Sequence, residues 1–74
     1  MKIRFLKTVA ATVEKTRLQE NWDKTFNRWQ ELQVEEIFIA GNTATLKTYE
    51  GDFVLMVPTD AFEQLKEEKR TITL

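Results

Sequence analysis

Leu32-Gln33-Val34-Glu35-Glu36-Ile37-Phe38-Ile39-Ala40-Gly41-Asn42-Thr43-Ala44-Thr45-Leu46-Lys47-Thr48-Tyr49-Glu50-Gly51-Asp52-Phe53-Val54-Leu55-Met56-Val57 carries the strongest structural signal in the chain. Leu32 and Val34 alternate with polar neighbours, Glu35-Glu36 shifts the phase, and Ile37 and Ile39 resume it. Successive side chains of a strand point to opposite faces, so one strand with a bulge or sharp bend between Val34 and Ile37 accounts for the shift. Gly41-Asn42 between apolar runs reads as a hairpin turn. Thr43 to Tyr49, rich in β-branched residues, reads as the return strand. Glu50-Gly51-Asp52 supplies the next turn. Phe53-Val54-Leu55-Met56-Val57 is apolar on both faces, and Pro58, with no N–H for the ladder, ends it. Residues 32–57 are thus expected to form a three-stranded meander, with Phe53, Leu55 and Val57 in the core.

Upstream, Ile3, Phe5, Val9, Ala11 and Val13 alternate with Lys2, Arg4, Thr8, Thr12 and Glu14. Period two over this length predicts a half-buried strand that bends or spans two sheets. Lys7 breaks its inward register, as an edge position or a bulge would. Downstream of Pro58, Asp60 and Glu63 have capping-box spacing, and Phe62 and Leu65 share a helical face. One or two helical turns, of α or 3₁₀ type, are expected there. Thr71, Ile72, Thr73 and Leu74 suit a short last strand.

Residues 14–31 read two ways. Leu18, Trp22, Phe26 and Trp29 fall on a helical stripe. Thr16 and Gln19 match a capping box, and Glu20 with Lys24 is a favourable pair one turn apart. Trp22 and Phe26 flanking Lys24 equally suit an extended hairpin arm. Local pattern favours the helix, and the alternative stays open.

This layout resembles the small SH3-like β-barrels: a first strand, a long arm, a meander, a short helical turn and a last strand. The residues that carry the resemblance are Leu32 to Ile37, Gly41-Asn42, Tyr49-Glu50-Gly51-Asp52 and the corner Val57-Pro58-Thr59-Asp60-Ala61-Phe62. It covers roughly residues 30–74. It implies a mainly-β barrel of about five strands with a short helical turn. The alternative fold is α+β, with a helix at 17–31 packed on a four- to five-stranded antiparallel sheet. Such barrels often place glycine where the arm re-enters the meander, and Trp29-Gln30 stand there instead. In that family the arm is a common peptide- or nucleic-acid-binding rim, which would put residues 14–31 on the functional side.

Seventy-four residues make a single domain, 1–74, near the size at which one core just offsets chain entropy. The chain is 42% hydrophobic and 31% charged, with two glycines and one proline, so it reads as globular. His, Cys and Ser are absent. That excludes serine and cysteine triads, the usual general base, disulfides, and imidazole or thiolate metal sites. The glycines sit in separate turns, so no phosphate loop is present. Glu50 with Asp52, or Glu35 with Glu36, lack the loop spacing of a calcium site and read as solvated turn and strand-edge residues. No catalytic residue, metal site or cofactor is expected, and the chain is read as a non-enzyme.

The basic start at Met1-Lys2-Ile3-Arg4 is followed by no apolar stretch long enough for a signal peptide. The longest apolar run, Phe53 to Val57, is far short of a membrane span. A soluble, cytoplasmic chain without a membrane partner is expected.

Charge is unevenly spread. Residues 1–28 hold seven Lys/Arg against three acids, a net of +4, and residues 29–74 hold four against nine, a net of −5. Such polarity marks a partner surface or head-to-tail association, unless opposite charges simply face each other across neighbouring strands.

The candidate partner-binding residues are Trp22, Lys24, Phe26, Arg28, Trp29 and Tyr49: aromatics interleaved with cations, near a turn. The bland reading is that a helix buries the three arm aromatics on the sheet. The leading function is a protein–protein interaction module, a small adaptor or an inhibitor of a larger assembly. A nucleic-acid-binding barrel using Lys15, Arg17, Trp22, Lys24, Phe26 and Arg28 is the runner-up, although a sequence pI near 5.4 is low for one. A homo-oligomeric structural protein with strand edges paired between chains is the third.

Overall fold

The computed structural model of the chain describes residues 1–65. Their strands are β1 (Lys2–Phe5), β2 (Val9–Lys15), β3 (Glu20–Phe26), β4 (Glu31–Gln33), β5 (Glu36–Ala40), β6 (Thr43–Lys47), β7 (Phe53–Pro58) and β8 (Phe62–Leu65). A 3₁₀ turn at Thr59–Ala61 joins β7 to β8. The strands form two antiparallel sheets, one in the order β4-β1-β8 and one in the order β3-β2-β7-β6-β5.

Both sheets are open, which corrects the expected barrel. Outermost are β4 and β8 in the smaller sheet and β3 and β5 in the larger, and among the described residues no pairing joins them into a closed cylinder. An SH3-like barrel requires such closure, so the resemblance does not extend to the fold. The α+β alternative also fails. Residues 17–31 hold the end of a hairpin turn, β3 and a second turn, and the sole helical element among the described residues is the 3₁₀ turn. The helical face expected for Phe62 and Leu65 is instead β8, paired to β1 with Phe5 opposite Phe62. The strand expected at Thr71–Leu74 lies outside the described residues.

Among the described residues, two of the chain's four passages between the sheets fall at breaks in the alternation. At Leu6-Lys7-Thr8 the chain leaves β1 and enters β2. There the Leu6 N–H donates to the Ala61 carbonyl at 2.7 Å and the Trp29 N–H to the Phe5 carbonyl at 2.7 Å. Between Gln33 and Glu36 the ladder is again interrupted, where Val34 N–H bonds Met1 O and Glu35 N–H bonds Lys47 O. The break expected between Val34 and Ile37 is present as a bend at Glu35, but it divides residues 32–39 into two strands in different sheets, in place of the one bulged strand expected. The meander that does form is β5-β6-β7.

The core lies between the sheets. Ile3 and Phe5 of β1 are fully buried against Val9, Val13 and Phe26 of the first hairpin and Leu46, Val54 and Val57 of the meander. Phe5 and Phe26 stack with ring centroids 4.7 Å apart, one ring from each sheet. Aromatic stacking of this kind adds about 0.5–1.5 kcal/mol to the burial itself.

β7 departs from simple alternation. Val54 pairs with Leu46 and Val57 with Ala44, so two steps on β6 match three on β7. Met56, at φ 54°, is the extra residue and turns outward, 75% exposed. This bulge makes Val54 and Val57 the buried pair and leaves Phe53 and Leu55 half-buried on the outer face. The expectation of Phe53, Leu55 and Val57 as one core face holds for Val57 alone.

Part of the charge asymmetry is matched among the described residues. On the outer face of the smaller sheet Arg4 lies between Glu31 and Glu63, 3.7 Å from each, and Lys2 is 3.5 Å from Glu31. Lys7 meets Asp60 at 3.3 Å and Lys15 meets Asp52 at 2.7 Å. Four of the seven N-terminal cations thus face later acids, Lys2 and Arg4 across neighbouring strands and Lys7 and Lys15 at turns.

Candidate functional site

The β2–β3 hairpin is longer than the sheet it leans on. Its cross-strand partners Val9–Phe26, Ala11–Lys24, Val13–Trp22 and Lys15–Glu20 each share a face. Val13 also pairs with Val54, so this is the core face of the larger sheet. The smaller sheet covers only its near end. Phe26 is buried to 1% exposure, whereas Trp22, four residues further along the same face, is 50% exposed.

The uncovered part of the core face is a groove of about 430 Å³. Val13, Val54 and Phe26 form its apolar floor, Trp22 and Lys24 one wall, and Leu32, Gln33 and Tyr49 the other. Tyr49 is 62% exposed, and its hydroxyl accepts a bond from the Met1 ammonium at 3.0 Å.

Ion pairing and turn chemistry hold this groove in shape. Lys15 Nζ donates to Asp52 Oδ2 at 2.7 Å and sits 5.2 Å from the centre of the Trp22 ring. The Asp52 hydrogen bond, which outweighs partial desolvation of the amine, raises the Lys15 pKa above its ordinary value, with Glu50 contributing the same way. Trp22 Nε1 donates to Glu20 Oε2 at 2.8 Å, which fixes the indole from its polar edge. Thr16 Oγ1 donates to the Gly51 carbonyl at 2.9 Å, tying the tip of the β2–β3 hairpin to the β6–β7 turn. Gly51, at φ 88°, adopts the left-handed conformation that this turn needs and glycine takes without strain.

Of the residues singled out from sequence, Trp22, Lys24, Phe26 and Tyr49 line one groove. Phe26 contributes as floor, and Lys24 Nζ lies 5.3 Å from its ring centre. Arg28 and Trp29 do not line it. They stand in the turn after β3, where the Arg28 guanidinium stacks 4.7 Å from the Trp29 ring centre. Trp29 has φ 72°, in the left-handed region that favours glycine.

Asp52 was missed. Read as a solvated turn residue, it is in fact buried, with its N–H bonded to Thr48 Oγ1 and its carboxylate to Lys15. The only sequence signal for the pair was two opposite charges, each next to a turn. Among the described residues no cluster of three or more acidic, His or Cys side chains is placed to hold a metal ion. No helix among them is long and apolar enough to cross a membrane. Comparison with protein-family models, curated proteins and solved structures found no match to this chain.

Proposed function

We propose that the chain is a non-enzymatic protein-interaction module, and that its groove takes an apolar anchor side chain of a protein partner. The observation that carries this reading is the half-exposed Trp22 standing over the apolar floor of Val13 and Val54, with Tyr49 on the opposite wall. Partly exposed Trp and Tyr beside a pocket are the residue types that dominate binding energy at interfaces. Two of the charges that line the groove, Lys15 and Asp52, are matched with each other inside the chain. A partner can therefore cover Lys15 and Asp52 without separating the two charges.

The acidic lining of the groove disfavours nucleic acid. A phosphate backbone is held by cations free to give up their counterions. Here Lys15 is engaged by Asp52, and the acids Asp23, Glu50 and Asp52 line the same groove.

The test is affinity capture from the native host with the wild-type chain and with Trp22→Ala and Tyr49→Ala, followed by binding to the purified partner. A partner lost on both substitutions, in variants that still melt cooperatively as folded domains, and with little dependence on salt, supports the reading. Binding to an oligonucleotide that weakens steeply with salt, or a partner indifferent to both substitutions, overturns it.

A further inference from the structure

The two outer strands of the larger sheet are built differently. β3 carries Glu20, Asp23 and Lys24. β5 is Glu36-Ile37-Phe38-Ile39-Ala40, with its single charge at one end. Charged side chains on an edge strand keep other chains from adding to it, and an apolar edge without them invites addition. Ile39 is 69% exposed and Phe38 48%, although both belong to a regular ladder with β6.

Hydrogen-bond parity fixes which backbone groups face outward. Ala40 and Thr43 close the two-residue turn Gly41-Asn42, with Gly41 at φ 62°. The pair closing such a turn exchanges both of its bonds, and bonding then alternates along an antiparallel ladder. Ala40, Phe38 and Glu36 therefore bond toward β6, while the N–H and C=O of Ile37 and Ile39 point away from it. Among the described residues no strand pairs with β5 on that side.

We propose that β5 is a self-association edge, on which a second copy of this chain pairs antiparallel about a two-fold axis at Phe38. In this register Ile37 faces Ile39 of the second copy, and Ile39 faces its Ile37. Those are the residues whose backbone groups point outward, so each pair can exchange both bonds. Phe38 meets Phe38 across the axis on the outer face. Glu36 falls opposite Ala40, so no like charges oppose each other anywhere in the ladder.

This self-complementarity selects a second copy over an unrelated strand, because a two-fold interface requires one patch to match itself. The pairing also extends the core face. Ile37 already packs against the core while Ile39 lies bare beyond it, and the second copy's Ile37 and Ile39 continue that row. So short an edge buries less than a permanent interface does, and the dimer is expected to depend on concentration.

Sedimentation velocity on the full chain, up to about 1 mM, tests this, since even a dissociation constant of that order is then visible. The expected result is a dimer that grows with concentration while amide exchange at Ile37 and Ile39 slows in step. Phe38→Lys and Phe38→Glu should each be monomeric, because like charges meet across the axis, and an equimolar mixture of the two should regain the dimer. A monomer at every concentration overturns the proposal. So does a dimer that survives Phe38→Lys, a mixture that stays monomeric, or Ile37 and Ile39 amides protected to the same degree at all concentrations. The exchange measurement uses the wild-type chain, so it decides even where a variant folds poorly.

Discussion

Lys15 Nζ and Asp52 Oδ2 stand 2.7 Å apart and join β2 to the turn that leads into β7. Asp52 is buried, so its carboxylate depends on this cation, while its backbone N–H donates to the Thr48 hydroxyl. The pairing raises the Lys15 pKa in the folded state above the ordinary 10.5. A raised lysine contributes stability that is fully present below the unfolded value and is lost as pH rises through the folded one. Melting temperature should therefore fall with pH above 10.5 more steeply in the wild type than in Asp52→Asn. Parallel alkaline profiles in a thermal melt series would show that the pair contributes nothing.

The bulge at Met56 separates two leucines by their burial. Leu46 is fully buried at the centre of the core, and Leu55 is half-buried on the outer face. Leu46→Ala should cost about 2–5 kcal/mol, much of the stability of so small a domain. Leu55→Ala should cost about half as much or less, since less apolar area leaves water there. Urea denaturation of both variants measures the difference, and equal costs would place the strand in the other register.

Met56 itself holds a left-handed backbone at φ 54° and is largely exposed to solvent. A residue with a Cβ pays about 1–2 kcal/mol there, and glycine does not. Met56→Gly should thus stabilise the fold by about 1 kcal/mol after its own loss of chain entropy. Met56→Val should destabilise it, because a β-branched side chain tolerates this conformation worst. Urea midpoints for the two variants should move in opposite directions.

The sequence is legible where polar and apolar residues alternate strictly. Ile3, Phe5, Val9, Ala11 and Val13 name the buried face of β1 and β2 without error. Gly41-Asn42 and Glu50-Gly51-Asp52 name the turns. It is illegible where two periods agree. Trp22 and Phe26 are four apart, a spacing that keeps two side chains on one face in a helix and in a strand alike. What decides is the long apolar alternation of β2, which needs a neighbour, and Asn21, Asp23 and Thr25, which favour helix poorly. In Phe53 to Val57 every residue is apolar, so alternation carries no phase and the bulge leaves no mark. Closure is not local at all. Whether outer strands meet depends on where the chain crosses between sheets, and only the breaks at Leu6-Lys7-Thr8 and Val34-Glu35 hint at that.

The exposed tryptophans give the sharpest check on the candidate site. Trp22 and Trp29 are both about half exposed, but only Trp22 lines the groove. In single-tryptophan variants, Trp29→Phe reporting on Trp22 and Trp22→Phe reporting on Trp29, acrylamide should quench both indoles efficiently. Trp22→Ala should cost about 1 kcal/mol, as expected for a partly exposed side chain, against about 3–5 for the buried Phe26→Ala. When a protein partner fills the groove, the Trp22 signal should become shielded while the Trp29 signal stays open. Shielding of Trp29 with Trp22 unchanged would move the interface to the Arg28–Trp29 stack. Two indoles already shielded in the free monomer would mean that the hairpin end is covered, leaving the groove nothing to bind with.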